Sequence, residues 1–316
     1  MDSGIVRRQN ALGVHSLDRF VFTVPALDAA QRFYEAFGLR FVRDGPRLDL
    51  YAADSPHCWA SVVENAQPKK LAYLSFAAYD DDFERLAARF RERGAGEPHP
   101  LSDGRGAWAR DADGTPVQLV AGPKVSPASA TCAAPAATPQ AGKGAAPARS
   151  GAPAVHPRYL SHVLLFTPNV PAQVDFYTQT LGLRLSDRSG DLIAFLHAPH
   201  ASEHHVLAFA KSHAPGLHHS SWVVQSVDDI GLGAERMRAA GYSKGWGLGR
   251  HVLGSNYFHY VQDPWGSFAE YSFGIDFVPA DVDWVAADHP PEDSFYVWGP
   301  PVPDDFIVNH EAAPHA

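Results

Sequence analysis

Residues 17–41 read LDRFVFTVPALDAAQRFYEAFGLRF, and residues 160–185 read LSHVLLFTPNVPAQVDFYTQTLGLRL. Each stretch opens on an apolar run of strand length and turns at a proline-marked corner. Each then continues as an amphipathic helix carrying Phe-Tyr and reaches a glycine near the helix end. The likeness continues downstream. KKLAYLSFAAYDDDFERLAARFRERGAG (69–96) matches GLHHSSWVVQSVDDIGLGAERMRAAGYS (216–243) as strand, acidic turn and helix. ARDADGTPVQLVAG (109–122) matches VQDPWGSFAEYSFG (261–274), each a hairpin turned at Asp-x-x-Gly. Each half therefore reads as β-α-β-β-β twice over, in units of roughly 50 residues, and a repeat this regular indicates duplication. The class is α+β with mixed or antiparallel sheets.

Between the copies, GPKVSPASATCAAPAATPQAGKGAAPARSGAPA (122–154) is rich in Ala, Pro, Gly and Ser and nearly free of large apolar residues, the composition of a linker. The expected division is an N-terminal segment (1–15), a first domain (16–121), a linker (122–156), a second domain (157–275) and an acidic, proline-rich tail (276–316). The tail should drape over the second domain or a subunit contact, with its last residues loose. At 316 residues the chain can bury two cores. The formal charge of −9 argues against nucleic acid as a partner. No apolar run approaches the roughly 20 residues that cross a bilayer, and the first residues lack a signal peptide's hydrophobic centre, so the expected compartment is the cytoplasm. Cys58 and Cys132 suggest neither a disulfide framework nor a thiolate metal site. Seventeen histidines stand out, because neutral imidazole is a common metal ligand.

The duplication provides a control within the chain, since positions needed only for folding should keep similar chemistry in both copies. Three do not. His162 stands where the first copy has Arg19, His219 where it has Tyr73, and Glu270 where it has Gln118. A single strand histidine is ordinarily a core or surface residue. Three potential ligands on strands, each replaced in the sister copy, point instead to a 2-His-1-carboxylate metal site with open positions. Such nitrogen and oxygen donors suit Fe(II), or less favourably Mn(II); zinc with an open position is the further option. Strand alternation admits only one of His218 and His219 to the inner face, and the repeat does not choose between them.

The order SHVLLFTPN, HHVLAF, GLHHSSW and GRHVLGSNYFHYVQDPWGSFAEYSF resembles the type I extradiol ring-cleavage dioxygenases of the vicinal oxygen chelate superfamily, over residues 16 to about 275. The resemblance implies tandem βαβββ modules forming two open-barrel domains, with the metal in the second. It implies His162, His219 and Glu270 as ligands of Fe(II), or occasionally Mn(II), and so selects His219 over His218. It implies His205, from the His-x-x-x-Phe strand, as the oxygen-side acid–base, with His204 as runner-up. His251 and Tyr260 would address the substrate hydroxyls. The implied reaction is O2-dependent cleavage of a substituted catechol, a trihydroxytoluene or biphenyl-type diol among the candidates, in a homo-oligomer. The pocket is expected to be lined from the strands and loops that carry Trp222, Asn256 and the residues before His205. The rivals are a glyoxalase-like isomerase, which usually spreads four ligands over two modules, a fosfomycin-type transferase, and a metal-free drug-binding protein.

Overall fold

The computed structural model describes residues 6–53, 55–130 and 142–312. The first half runs β1 (Ser16–Val24), α1 (Leu27–Phe37), β2 (Arg40–Asp44), β3 (Arg47–Tyr51), β4 (Cys58–Glu64), β5 (Lys70–Ala78), α2 (Asp80–Gly94), β6 (Ala107–Arg110) and β7 (Pro116–Ala121). The second runs β8 (Tyr159–Thr167), α3 (Val170–Leu181), β9 (Arg184–Ser189), β10 (Ile193–His197), β11 (Ser202–Glu203) and β12 (Leu207–Lys211), then β13 (Gly216–Val223), α4 (Val227–Ala239), β14 (Gly245–His251), β15 (Tyr257–Gln262) and β16 (Phe268–Phe273). The tail adds β17 (Phe277–Val278), β18 (Ala287–Asp288) and β19 (Tyr296–Trp298).

The strands form a seven-stranded sheet, β2-β3-β4-β1-β5-β7-β6, and a ten-stranded sheet, β18-β9-β10-β12-β8-β13-β16-β15-β14-β19, with β11 and β17 as a separate pair. In both large sheets an antiparallel central pair, β1 with β5 or β8 with β13, joins two βαβ units whose first and last strands are parallel. The duplicated pattern of the sequence is therefore the pattern of the sheets. One strand differs, because α4 is followed by three strands and α2 by two. Residues 95–106 contain Pro98 and Pro100, which cannot donate to a ladder, and bridge to β6 only at Ala95–Ala109. Among the described residues the first half thus has no counterpart of β14, the strand that ends at His251.

Helices α1 and α3 form because their apolar residues recur at helical spacing. In α1, Leu27, Ala30, Phe33, Tyr34 and Phe37 are buried along one stripe. In α3 the Asn169 side chain caps the Ala172 N–H at 3.1 Å. Both helices end at a left-handed glycine, Gly38 (φ 99°) and Gly182 (φ 72°). A Cβ on Gly38 would lie 2.3 Å from the Val155 carbonyl oxygen, and one on Gly182 would lie 2.2 Å from that of Leu12. Each half's first helix thus ends against the segment leading into the other half's first strand. Val14, His15 and Val155 are accordingly buried, so the N-terminal segment and the end of the linker are packed rather than free. The centre of the linker with Cys132, and residues 313–316, lie outside the described residues; Cys58 is a free thiol. No helix among the described residues is long and apolar enough to cross a membrane.

One apolar cluster continues through both halves. Across the join Phe37 stacks on Tyr271 with centroids 3.9 Å apart, and the Tyr271 hydroxyl donates to the Phe37 carbonyl at 2.8 Å. Phe37→Ala should cost about 3–5 kcal/mol, the usual loss for a buried aromatic. A thermal unfolding midpoint within a degree of wild type would show that the join contributes little to stability.

Candidate active site

A cross-strand row organises the site. His162 on β8 pairs with Ser221 on β13, Ser221 with Glu270 on β16, and Glu270 with Tyr260 on β15. Side chains opposite one another in a sheet share a face, so His162, Glu270 and Tyr260 point the same way, as does His219, two residues before Ser221. The first half has the same row as Arg19–Ser75–Gln118–Trp108, with Tyr73 two residues before Ser75. The equivalences read from the repeat are those of the two sheets. In the first half Tyr73 and Trp108 meet edge to face at 5.1 Å and pack with Val21 and Val63, filling the space with hydrocarbon. The Gln118 amide donates to the Arg105 carbonyl at 3.0 Å.

In the second half the same space holds three electron-pair donors. His162 Nε2 and His219 Nε2 are 3.2 Å apart, and Glu270 Oε2 lies 3.5 Å from the first and 3.7 Å from the second. Outer hydrogen bonds determine where the ring protons sit. Ser161 donates its hydroxyl proton to the Glu203 carboxylate, so its oxygen accepts from His162 Nδ1–H at 2.9 Å, leaving His162 Nε2 bare. His218 Nε2–H donates to the Phe306 carbonyl at 2.8 Å, so His218 Nδ1 accepts from His219 Nδ1–H at 2.6 Å, leaving His219 Nε2 bare. Glu270 Oε1 accepts from Asn256 Nδ2 at 3.1 Å, while no hydrogen bond among the described residues reaches the fully buried Oε2. Two bare nitrogens facing a buried carboxylate oxygen form the donor set of a divalent cation, whose charge would offset their burial. The residues fit a divalent metal. Among the described residues this is the one such grouping of three or more His, Cys, Asp or Glu side chains.

His251, Tyr260 and His205 stand around the triad. His251 Nδ1–H donates to the Phe295 carbonyl at 2.9 Å, so its Nε2 accepts from the Tyr260 hydroxyl, also at 2.9 Å. Burial, and then the charge of Glu270, push the Tyr260 phenol well above its usual range, so it serves as a hydrogen-bond donor. His205 lies ring to ring with His162 at 4.0 Å. Burial first, then the neighbouring imidazoles, push it well below the usual histidine range. Burial likewise lowers His251.

A cavity of about 320 Å³ opens on these groups. Its apolar wall includes Leu164, Phe195 and two residues of the tail, Phe295 and Phe306. Asn256 lines it as expected, whereas Trp222 does not. Trp222 alternates to the opposite face of β13 from His219, is fully buried in the apolar core, and donates its indole N–H to Ser220 Oγ at 3.0 Å. Of the residues before His205, Leu192, Ile193 and Phe195 line it, whereas the two next to it turn away: Glu203 binds Ser161 and Tyr159, and His204 binds Asp187. Alternation fails at His218, because a register shift between Leu217 and His219 lets both histidines reach the cavity. Phe306 was missed from sequence. Its ring meets His218, Tyr260 and Phe268 at 4.8–5.1 Å, and the only signal was the aromatic content of the tail.

Residues 159–271, the span that holds the triad, match the family model described as the Glyoxalase/Bleomycin resistance protein/Dioxygenase superfamily. The chain is 51% identical over 301 residues to metapyrocatechase 2 of Cupriavidus necator, covering 95% of this chain and 93% of that one. Among solved structures, the Mn(II)-bound glyoxalase of Novosphingobium aromaticivorans superposes with a TM-score of 0.74 at 25% identity, over 96% of both chains. The homoprotocatechuate 2,3-dioxygenase of Arthrobacter globiformis superposes with a TM-score of 0.75 at 19% identity, over 95% of this chain and 92% of that one, a likeness of fold. Extended identity to a metapyrocatechase, together with the superfamily match over the triad, shows that this chain belongs to the extradiol dioxygenases of the vicinal oxygen chelate superfamily.

Proposed function

We propose that the protein cleaves the ring of a substituted catechol with O2 at a non-haem Fe(II) held by His162, His219 and Glu270. In this reading residues 16–121 are a domain without metal and residues 157–275 the catalytic domain. The observation that carries it is the pair of bare Nε2 atoms facing the unpartnered Glu270 oxygen. Family membership supports the reaction class, since the metapyrocatechase relative extends over nearly the whole chain. When bound, the ion would supply redox capacity and lower the pKa of a coordinated hydroxyl.

The chain's own residues do the rest. Tyr260, held neutral, gives its one hydroxyl proton to His251 Nε2, which the Phe295 carbonyl fixes in place, and can turn that proton to an anionic substrate oxygen when substrate enters. His205, on the side of the cavity near Phe195, takes a proton and later returns it to an oxygen. Phe195, Phe295 and Phe306 exclude water and offer ring faces to an aromatic substrate. The same reading places the protein in the cytoplasm as a homo-oligomer.

Anaerobic loading with Fe(II), followed by catechol, 3-methylcatechol or 2,3-dihydroxybiphenyl in air, should give a yellow product and one O2 consumed per ring cleaved. Comparison of kcat/KM across the set ranks the substrates, and loading with Mn(II) in parallel identifies the working metal. The Novosphingobium likeness makes a glyoxalase-type isomerase the second reading. Turnover of a hemithioacetal without O2 uptake, by protein carrying one metal per chain, would replace the dioxygenase reading by that one.

A further inference from the structure

Beyond the triad the cavity is built from two further cross-strand rows. His162, Leu164 and Phe166 share one face of β8, and the rows that start at Leu164 and Phe166 continue across β12 and β10. The inner row is Leu164–Ala208–Phe195. The outer row is Phe166–Ala210–Ile193, which β9 extends to Ser189. At roughly 3.3 Å per residue the outer row stands about 13 Å along the sheet from His162. Its four residues all line the cavity, as do Leu164 and Phe195 of the inner row. On β9 the inner row reaches Asp187, which bonds to His204 and is not part of the lining. Alternation holds on β10: Ile193 and Phe195 are half-buried against the cavity, while Ala194 and Leu196 are buried in the core. Leu192 and Ile307 also line the cavity and are 52% and 68% exposed, so its open end is rimmed by aliphatic side chains.

The same rows in the first half are filled differently. They read Val21–Ser61–Asp49 and Thr23–Val63–Arg47. Arg47 donates to Asp49 at 2.8 Å and to Ser61 at 2.7 Å, so a charged network occupies that face. The second half has Phe195 in place of Asp49, Ala208 in place of Ser61 and Ile193 in place of Arg47. It also has Ala210 where the first half has the bulkier Val63. The pairing of the strands is the same in both sheets, so strand geometry does not require these exchanges. Three of them remove a polar or charged group from the face that leads away from the triad, and the fourth removes volume.

Little polarity is left there to recognise a charged ligand. Lys211 is the one lysine or arginine among the described lining residues, and its Nζ donates to the Pro168 carbonyl at 2.7 Å. The Ser189 hydroxyl donates to the His289 carbonyl at 2.8 Å. A carboxylate carried to the outer row would be desolvated without a partner, whereas an alkyl or aryl group there would leave water for hydrocarbon.

We propose that the outer row is the subsite for an uncharged, apolar ring substituent, with Ala210 setting the size it admits and Ile193 excluding an acidic one. The substrate class is then an alkyl- or aryl-substituted catechol, as opposed to a catechol bearing a carboxylate. This rests on the catechol reading of the site: a ring held at the triad lies beside the inner row, so the part of the molecule that reaches Ala210 and Ile193 is its substituent.

The test uses the Fe(II)-loaded full chain and two pairs of catechols of similar shape but different charge. These are 3-propylcatechol with 3-(2,3-dihydroxyphenyl)propionate, and 4-ethylcatechol with 3,4-dihydroxyphenylacetate. The pair turned over faster gives the ring position that the subsite serves, and within it kcat/KM should favour the alkyl member at least tenfold. A single methylene in a hydrophobic pocket is already worth about 10–200-fold. Ala210→Phe should lower the kcat/KM ratio of that alkylcatechol to unsubstituted catechol at least tenfold. Ile193→Arg, which copies the first half's Arg47, should raise the ratio of the acidic member to catechol at least tenfold. Wild-type preference for the acidic member, or unchanged ratios in both variants, would overturn the proposal. So would a raised KM for O2 in Ala210→Phe with an unchanged alkylcatechol ratio, which would assign the outer row to O2. Calorimetric Kd values for the same catechols with Zn(II)-loaded protein should follow the same ratios without turnover. Absence of O2 uptake by wild type with every catechol overturns the dioxygenase reading alone, because the Zn(II) dissociation constants still decide the subsite.

Discussion

Glu270→Gln should abolish metal binding and activity together, and should also make the metal-free protein more stable. The wild-type metal-free site holds two bare imidazole nitrogens and a fully buried carboxylate oxygen without a hydrogen-bond partner. The glutamine amide can donate to one of those nitrogens. Satisfying a buried group that was unpaired is worth about 1–3 kcal/mol. Metal affinity moves in the opposite direction. Loss of an outer hydrogen-bond partner typically costs ~10–100-fold in metal affinity, and loss of the only anionic ligand should exceed that. Added Fe(II) should therefore raise the unfolding temperature of wild type and leave that of Glu270→Gln unchanged, since a ligand stabilises in proportion to its binding. A variant that still gains stability from Fe(II) and still consumes O2 would remove Glu270 from the metal site.

His205→Phe should keep the metal and lose the turnover. His205 contacts the ring of His162 but is outside the triad, and its nearest polar partner is His204 rather than a ligand. Phenylalanine, somewhat larger, keeps a planar ring against Phe195. Iron content and catechol affinity should remain near wild type, while kcat drops by ~10²- to 10⁴-fold, the usual contribution of a positioned acid–base group. Stability should fall by about 1–3 kcal/mol, because the buried His204 Nδ1 loses its partner. Loss of iron from this variant would identify His205 as a ligand instead.

The triad was legible because the chain carries its own control. Arg19, Tyr73 and Gln118 occupy the same register positions in the first sheet as His162, His219 and Glu270 in the second, so a comparison of residue types was also a comparison of positions in space. The choice between His218 and His219 was not legible from the residues. It depends on a local shift in pairing at Leu217–His219, and alternation assumes that no such shift occurs. The strand that carries Trp222 lines the cavity through His218 and His219, while Trp222 itself, an odd number of residues from His219, turns to the core.

What the sequence determined by itself is therefore the duplicated strand–helix scaffold and the rows on which the donors stand. Both follow from local periodicity and from the likeness of two copies. Only the tertiary structure decided which nitrogen of each histidine is bare, since that depends on Glu203, Phe306 and Asp187 as hydrogen-bond partners. It also decided that the tail closes the cavity: the Phe306 carbonyl that orients His218 lies 88 residues away in the chain, on a segment with no repeat to compare it with. Contacts of that separation arise from packing, and no pattern within either segment encodes them.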